Sequence, residues 1–273
     1  MVEKIYNKIK SILFSNPKVL FVEEQSLVKK PFYFQGNNSK AVLLVHGWTS
    51  TAYEVRRLGK FLNLAGYTTA GPMLAGHGTI YKDLEDVKIE DWLADIEKNF
   101  LALKKEHQQV YIIGTSIGSN LAAVFAMDRD DVAGLVLLAT PYRLKLEIVI
   151  VNLAKIMNIF VRYKKKFYPP TFGLSTTITR LISYQIYPLA SALETFRIIE
   201  KSREAFEKII QPCLMIQSTH DHVIAKNSLE EIYRHIKSPI KKKRYVKQAY
   251  HTFISDIKNE YVFKDILEFL ENN

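Results

Sequence analysis

The stretch Val110-Tyr111-Ile112-Ile113-Gly114-Thr115-Ser116-Ile117-Gly118-Ser119-Asn120-Leu121-Ala122-Ala123-Val124-Phe125 decides how this chain is read. Its first four residues are apolar at successive positions, the pattern of a strand covered on both faces rather than on one. Its last residues, from Asn120, favour a helix. Between them stands Gly114-Thr115-Ser116-Ile117-Gly118, a G-x-S-x-G string. Alone, that string is common and can be a plain glycine-rich turn. Set between a buried strand and a helix, it has the context of a turn so tight that its flanking residues must be tiny. Such a turn holds a serine hydroxyl above the sheet edge at a helix N-terminus. Ser116 is therefore the candidate nucleophile.

Working outward, three more short apolar runs match the strand pattern: Ala41 to Val45, Gly134 to Leu138 and Cys213 to Ile216. Helical patterns separate them. Tyr53 to Ala65 puts Val55, Leu58, Phe61, Leu62 and Ala65 on one face, with Gly66 as the stop. Ile89 to Lys104 does the same with Trp92, Leu93, Ile96, Phe100 and Leu103. Strands alternating with helices of this length predict an α/β fold with a mostly parallel, doubly wound sheet. Val19 to Glu23 and Phe32 to Gln35 are candidates for antiparallel edge strands. The alternation stops after Thr140-Pro141, and no clear strand is read from Tyr142 to about Gln211. That stretch offers an apolar helical segment (Leu144 to Val161), the basic knot Arg162-Tyr163-Lys164-Lys165-Lys166, the break Pro169-Pro170 and a second helical region. An excursion this long from a sheet reads as a helical cap. The expected organisation is a core of residues 1–141 and 212–273 with a cap of residues 142–211 inserted.

Composition narrows the function classes. The 273 residues are 48% hydrophobic and 24% charged, ordinary globular usage, which excludes a disordered or collagen-like chain. The only cysteine, Cys213, forms no internal bridge and supplies no thiolate metal site, and its apolar neighbours make it a core thiol. No apolar run reaches the roughly 18 residues of a spanning helix, and the N-terminus lacks a secretory pattern. A soluble, cytoplasmic protein is expected. The net charge of +10 suggests attraction to anionic surfaces. The tract Lys241-Lys242-Lys243-Arg244 overlaps a strand candidate and has no nucleic-acid-binding motif beside it, so no nucleic-acid partner is expected.

A serine hydroxyl becomes nucleophilic when a positioned base takes its proton. His251 lies in Gln248-Ala249-Tyr250-His251-Thr252, a loop after the strand candidate Lys241 to Lys247, where such a base belongs. Asp221 lies in Ser218-Thr219-His220-Asp221-His222, directly after the Cys213 strand, where the acid that orients the base belongs. The order Ser116, Asp221, His251 is that of α/β-hydrolases. Other readings are a metal site at His220-Asp221-His222, a turn role for Asp221 and a capping or core role for His251. Adjacent loop residues point apart, however, and no further ligand cluster accompanies the histidines. His235 reads as a surface histidine and Gly76-His77-Gly78 as a structural turn near the site. Acyl transfer also needs two backbone N–H groups aimed at the developing oxyanion. Ile117, directly after the nucleophile, is one donor position. Trp48, in His46-Gly47-Trp48-Thr49 after the first buried strand, is the other, whether or not its indole packs as core.

These segments together resemble the carboxylesterase and monoacylglycerol lipase branch of the α/β-hydrolase superfamily. The resemblance runs from about Lys40 to the C-terminus and is carried by His46 to Thr49, the helix from Tyr53, Gly76 to Gly78, Asp91-Trp92, the serine turn, Asp221 and His251. It implies an α/β-hydrolase fold, a serine acyl-enzyme, a small-molecule ester or lipid substrate (short to medium acyl esters or monoacylglycerols), no metal or organic cofactor and a small cap. Ser50 departs from it, because similar esterases often carry glycine there. Two further expectations concern lipid. The cap stretch from Leu144 is apolar almost all round and so should be covered on most sides. Val2, Ile5, Ile9, Ile12 and Leu13, with Lys4, Lys8 and Lys10, have the spacing of an interfacial helix able to make weak membrane contact. The competing functions are a non-catalytic lipid-surface binding protein on this scaffold, or another acyl hydrolase such as a thioesterase.

Overall fold

A computed structural model of the chain describes residues 24–144, 146–166, 181–247, 249–256 and 259–273. The basic N-terminal stretch, the strand candidate Val19 to Glu23 and the Pro169-Pro170 break lie outside the described residues.

The elements, in chain order, are β1 (Phe32–Phe34), β2 (Lys40–Val45), α1 (Tyr53–Leu64), β3 (Thr68–Gly71), α2 (Ile89–Lys104), β4 (Gln109–Thr115), α3 (Ile117–Ala126), β5 (Gly134–Leu138), α4 (Glu147–Phe160), β6 (Tyr163–Lys165), β7 (Ile186–Pro188), α5 (Leu189–Phe206), β8 (Cys213–Ser218), α6 (Ser228–His235), β9 (Lys241–Val246) and α7 (Tyr261–Glu271). Seven strands form one sheet in the order β1-β3-β2-β4-β5-β8-β9. Only β1 runs antiparallel, and the rest pair in parallel. The chain has the α/β-hydrolase fold.

Both faces of the central strands are covered, which is why β2, β4, β5 and β8 read as nearly unbroken apolar runs, while the edge strand β9 is basic and partly exposed. Leu43, Ile112, Leu135, Leu137 and Met215 face Trp92, Ile96 and Phe100 of α2 and Leu121 of α3. Leu44, Ile113, Val136 and Ile216 face Val55 and Leu58 of α1 and Ile266 and Phe269 of α7. Burying each such aliphatic side chain stabilises the fold by roughly 1.5–3 kcal/mol. The strands are thereby held in one register, with β2, β4 and β8 ending on the same side of the sheet.

Residues 142–211 differ from expectation in three ways. The basic knot forms a strand, since β6 pairs antiparallel with β7 in a separate two-stranded ribbon. Three residues are too few to show a period, and the lysines mask the pattern. Helix α5 joins the core, for Ile198, Ile199, Ala205 and Phe206 pack in the same cluster as α2 and α3. Helix α4 is not covered on most sides: Ile148 is 79% exposed and Phe160 81%, and Ala154 is its only buried residue.

Candidate active site

Strand β4 ends at Thr115 and α3 starts at Ile117, which leaves Ser116 alone to turn the chain. It does so at φ 53°, a left-handed conformation uncommon for a residue with a side chain. Its N–H donates to Leu138 O at 2.8 Å, and Ser119 Oγ closes the turn onto Gly114 O at 2.7 Å. The flanking glycines are obligatory. A Cβ at Gly114 would strike the Gly118 backbone, and one at Gly118 would strike the Val45 and His46 carbonyls.

Two loops at the strand ends bring the remaining side chains to Ser116. His251, buried in the loop beyond β9, places Nε2 2.8 Å from Ser116 Oγ. Its Nδ1 lies 2.7 Å from Asp221 Oδ2, in the turn after β8. Asp221 Oδ1 also accepts the Val223 and Ile224 N–H groups at 2.8 and 3.1 Å. Burial alone would raise the Asp221 pKa, but the His251 charge and these hydrogen bonds outweigh it and hold the carboxyl below its ordinary value. For His251, burial disfavours the imidazolium, while Asp221 more than compensates and holds the ring above its ordinary value. Ser116 O–H thus faces an imidazole whose far N–H is held by an ionised carboxylate.

The loop after β2 is fixed from several sides. Gly47 N–H donates to the buried Glu54 carboxylate at 2.8 Å. Gly47 C=O accepts from His46 Nδ1 at 2.9 Å and from Ser50 N–H at 3.2 Å. In a trans peptide the N–H points opposite the C=O, so Trp48 N–H faces away from those donors. It has no hydrogen-bond partner among the described residues. Ile117, first in its helix, has an N–H without an intrahelical acceptor. Both residues line the cavity that holds Ser116 and His251. His77 Nε2 accepts Thr49 N–H at 3.0 Å, so the Gly76-His77-Gly78 turn braces this loop, with both glycines at positive φ. His46 and His77 are buried and neutral, and desolvation lowers the His46 pKa to about 4 and that of His77 well below its ordinary value.

The cavity measures about 710 Å³, within the roughly 300–1,000 Å³ usual for small-molecule sites. Apolar side chains of α4 and α5, among them Leu153, Met157, Phe196 and Ile199, form one wall, while Thr49, Ser183 and Lys164 to Lys166 form another. The Trp48 indole packs partly buried against the core cluster, while its Nε1 donates to Ser191 Oγ at 2.8 Å and the ring meets Tyr187 edge-on. His235 is half-buried rather than a surface residue, stacked on Tyr142 and paired with Glu207. His220 is exposed, whereas His222 lines the cavity. Among the described residues, no group of three or more His, Cys, Asp or Glu side chains is arranged to hold a metal. Sequence reading did not single out His46, Glu54 or Lys166. Glu54 carries no local pattern that marks it, and Lys166 stands in the basic knot, which nothing in the sequence ties to the site.

Fold and site define a class, the α/β-hydrolases with a nucleophile on the turn after the central strand. Within it, residues 36–258 match the family described as serine aminopeptidase, S33, and the chain belongs to that family. The monoacylglycerol lipase of Bacillus sp. (strain H-257), a thermostable protein, is 29% identical over 242 residues, 88% of this chain and 93% of its own. The carboxylesterase of Bacillus subtilis (strain 168) is 28% identical over 246 residues, 89% of this chain and 96% of its own. A solved structure from work on the metagenome-derived lipolytic enzymes LipS and LipT superposes with TM-score 0.82 at 24% identity, covering 90% of this chain and 98% of that one, and shares the fold.

Proposed function

We propose that the chain is a serine hydrolase of carboxylic esters, with short to medium acyl esters or monoacylglycerols as substrates. The observation that carries this reading is the relay Ser116 Oγ to His251 Nε2 at 2.8 Å and His251 Nδ1 to Asp221 Oδ2 at 2.7 Å. In this reading, Ser116 Oγ attacks the ester carbon as its proton passes to His251. Asp221 keeps the ring in the right tautomer and stabilises the imidazolium. The oxyanion is received by the N–H groups of Trp48 and Ile117. His251 returns the proton to the departing alcohol. Water, deprotonated by the same ring, then releases the acid and restores Ser116. The apolar wall from α4 and α5 accommodates the acyl chain. No metal or organic cofactor takes part in these steps. Relatives described as a monoacylglycerol lipase and a carboxylesterase support the substrate class.

Ser116→Ala should fold normally and lose roughly 10³–10⁶-fold in turnover of p-nitrophenyl butyrate. An undiminished rate would refute the assignment. A series of p-nitrophenyl esters of increasing acyl length should show kcat/KM rising and then levelling as the wall fills.

A further inference from the structure

The insertion grips the loop that presents Trp48 N–H. Lys166, the residue after β6, sends Nζ to Thr49 Oγ1 and to Ser183 Oγ, the latter at 3.3 Å. Thr49 Oγ1 donates its own hydrogen bond to Trp48 O at 2.6 Å. Thr49 C=O accepts Tyr184 N–H at 2.8 Å, and Lys166 N–H donates to Gln185 O at 2.9 Å. Thr49 needs this support, for it holds φ 63°, costly for a β-branched residue. A half-buried ammonium is an expensive tie where a neutral side chain could bond a hydroxyl, so the charge itself calls for a role.

We propose, resting on the ester-hydrolase reading above, that Lys166 is a positioning residue for the oxyanion loop. Its ammonium, reaching in from the β6–β7 ribbon, locks the Trp48–Thr49 peptide and adds positive charge beside the site where negative charge develops. Among the described residues, the charged and titratable groups around it come from four places. Glu54 lies on α1, His77 on the turn after β3, His251 on the loop after β9, and Lys164 and Lys165 on β6 itself. Glu54 favours the ammonium, and Lys166 in turn disfavours protonation of His77 and His251. Burial pulls Lys166 down to about 8 against the attraction of Glu54. Raising the pH through that value removes the charge, so catalysis should weaken there.

The test is steady-state hydrolysis of p-nitrophenyl acetate from pH 6 to 10 by wild type, Lys166→Met and Thr49→Val, with fluorophosphonate labelling in parallel. Lys166→Met is expected to lower kcat about tenfold. KM should stay within about twofold, and the alkaline fall near pH 8 should disappear. Thr49→Val, which breaks the same link while keeping the ammonium, should lower kcat less than Lys166→Met does and keep the alkaline fall, and the double variant should be no worse than Lys166→Met. Wild-type kcat in Lys166→Met would overturn the proposal. So would a lower kcat in that variant with the alkaline fall still in place, which marks a merely structural tie. A wild-type protein that takes no label on Ser116 would instead overturn the ester-hydrolase reading itself.

Discussion

At Ser116 the proposed chemistry depends on charges outside the relay of Ser116, His251 and Asp221. Glu54 is buried next to Gly47, and its carboxylate favours the His251 imidazolium. A base works only when neutral. Because its pKa sits above the ordinary 6.5, kcat/KM should rise with pH through a value higher than that. Glu54→Gln keeps an acceptor for Gly47 N–H but removes the charge. Its acid limb should therefore move to lower pH, and the alkaline fall with it, because the Lys166 ammonium loses the same support. An unmoved limb in the pH–rate profile would contradict this. Ser116 and Asp221 were legible because each follows a buried strand, and His251 because it comes third in a known chain order, after the basic strand β9. Glu54, His46 and Lys166 were not, since their importance comes from contacts across the fold that no local pattern announces.

Elements were legible in proportion to their burial. Strands β2, β4, β5 and β8 are nearly continuous in apolar residues because both their faces are covered, whereas the edge strand β9 is basic and largely exposed. Helix α2 matches its period from Ile89 to Lys104. The ribbon β6–β7 is invisible in sequence for the opposite reason, being three residues a strand with two of the three on β6 exposed. Helix α4 misleads by composition, because apolar residues usually mean cover and here face outward. The turn between β4 and α3 carries the sharpest element-scale expectation. Gly118→Ala drives a methyl group into the carbonyls of Val45 and His46, so β2 and α3 must separate. A loss of about 1–3 kcal/mol is expected in urea denaturation, together with weaker labelling of Ser116. A variant as stable and as reactive as wild type would show that the turn is looser than described.

Across the whole molecule, seven strands between two helical layers bring three distant loops to one edge, and neutral histidines packed beneath that edge give the protein an acid sensitivity. The unfolded chain protonates His46 near 6.5, the folded chain only near 4. At this residue the unfolded state therefore binds more protons in that window, and the His46 contribution to stability is full above 6.5 and declines as pH falls toward 4. His46 alone accounts for about 3 kcal/mol of this decline. Denaturation midpoints between pH 7.5 and 4.5 should show it, and His46→Asn should flatten the slope. Among the described residues no helix is long and apolar enough to cross a membrane. The most direct test of the central claim is intact-protein and peptide mass spectrometry after reaction with a fluorophosphonate. The account requires one adduct per chain, on the peptide bearing Ser116, and its loss in His251→Asn. An adduct elsewhere, or none while ester cleavage proceeds undiminished, would contradict it.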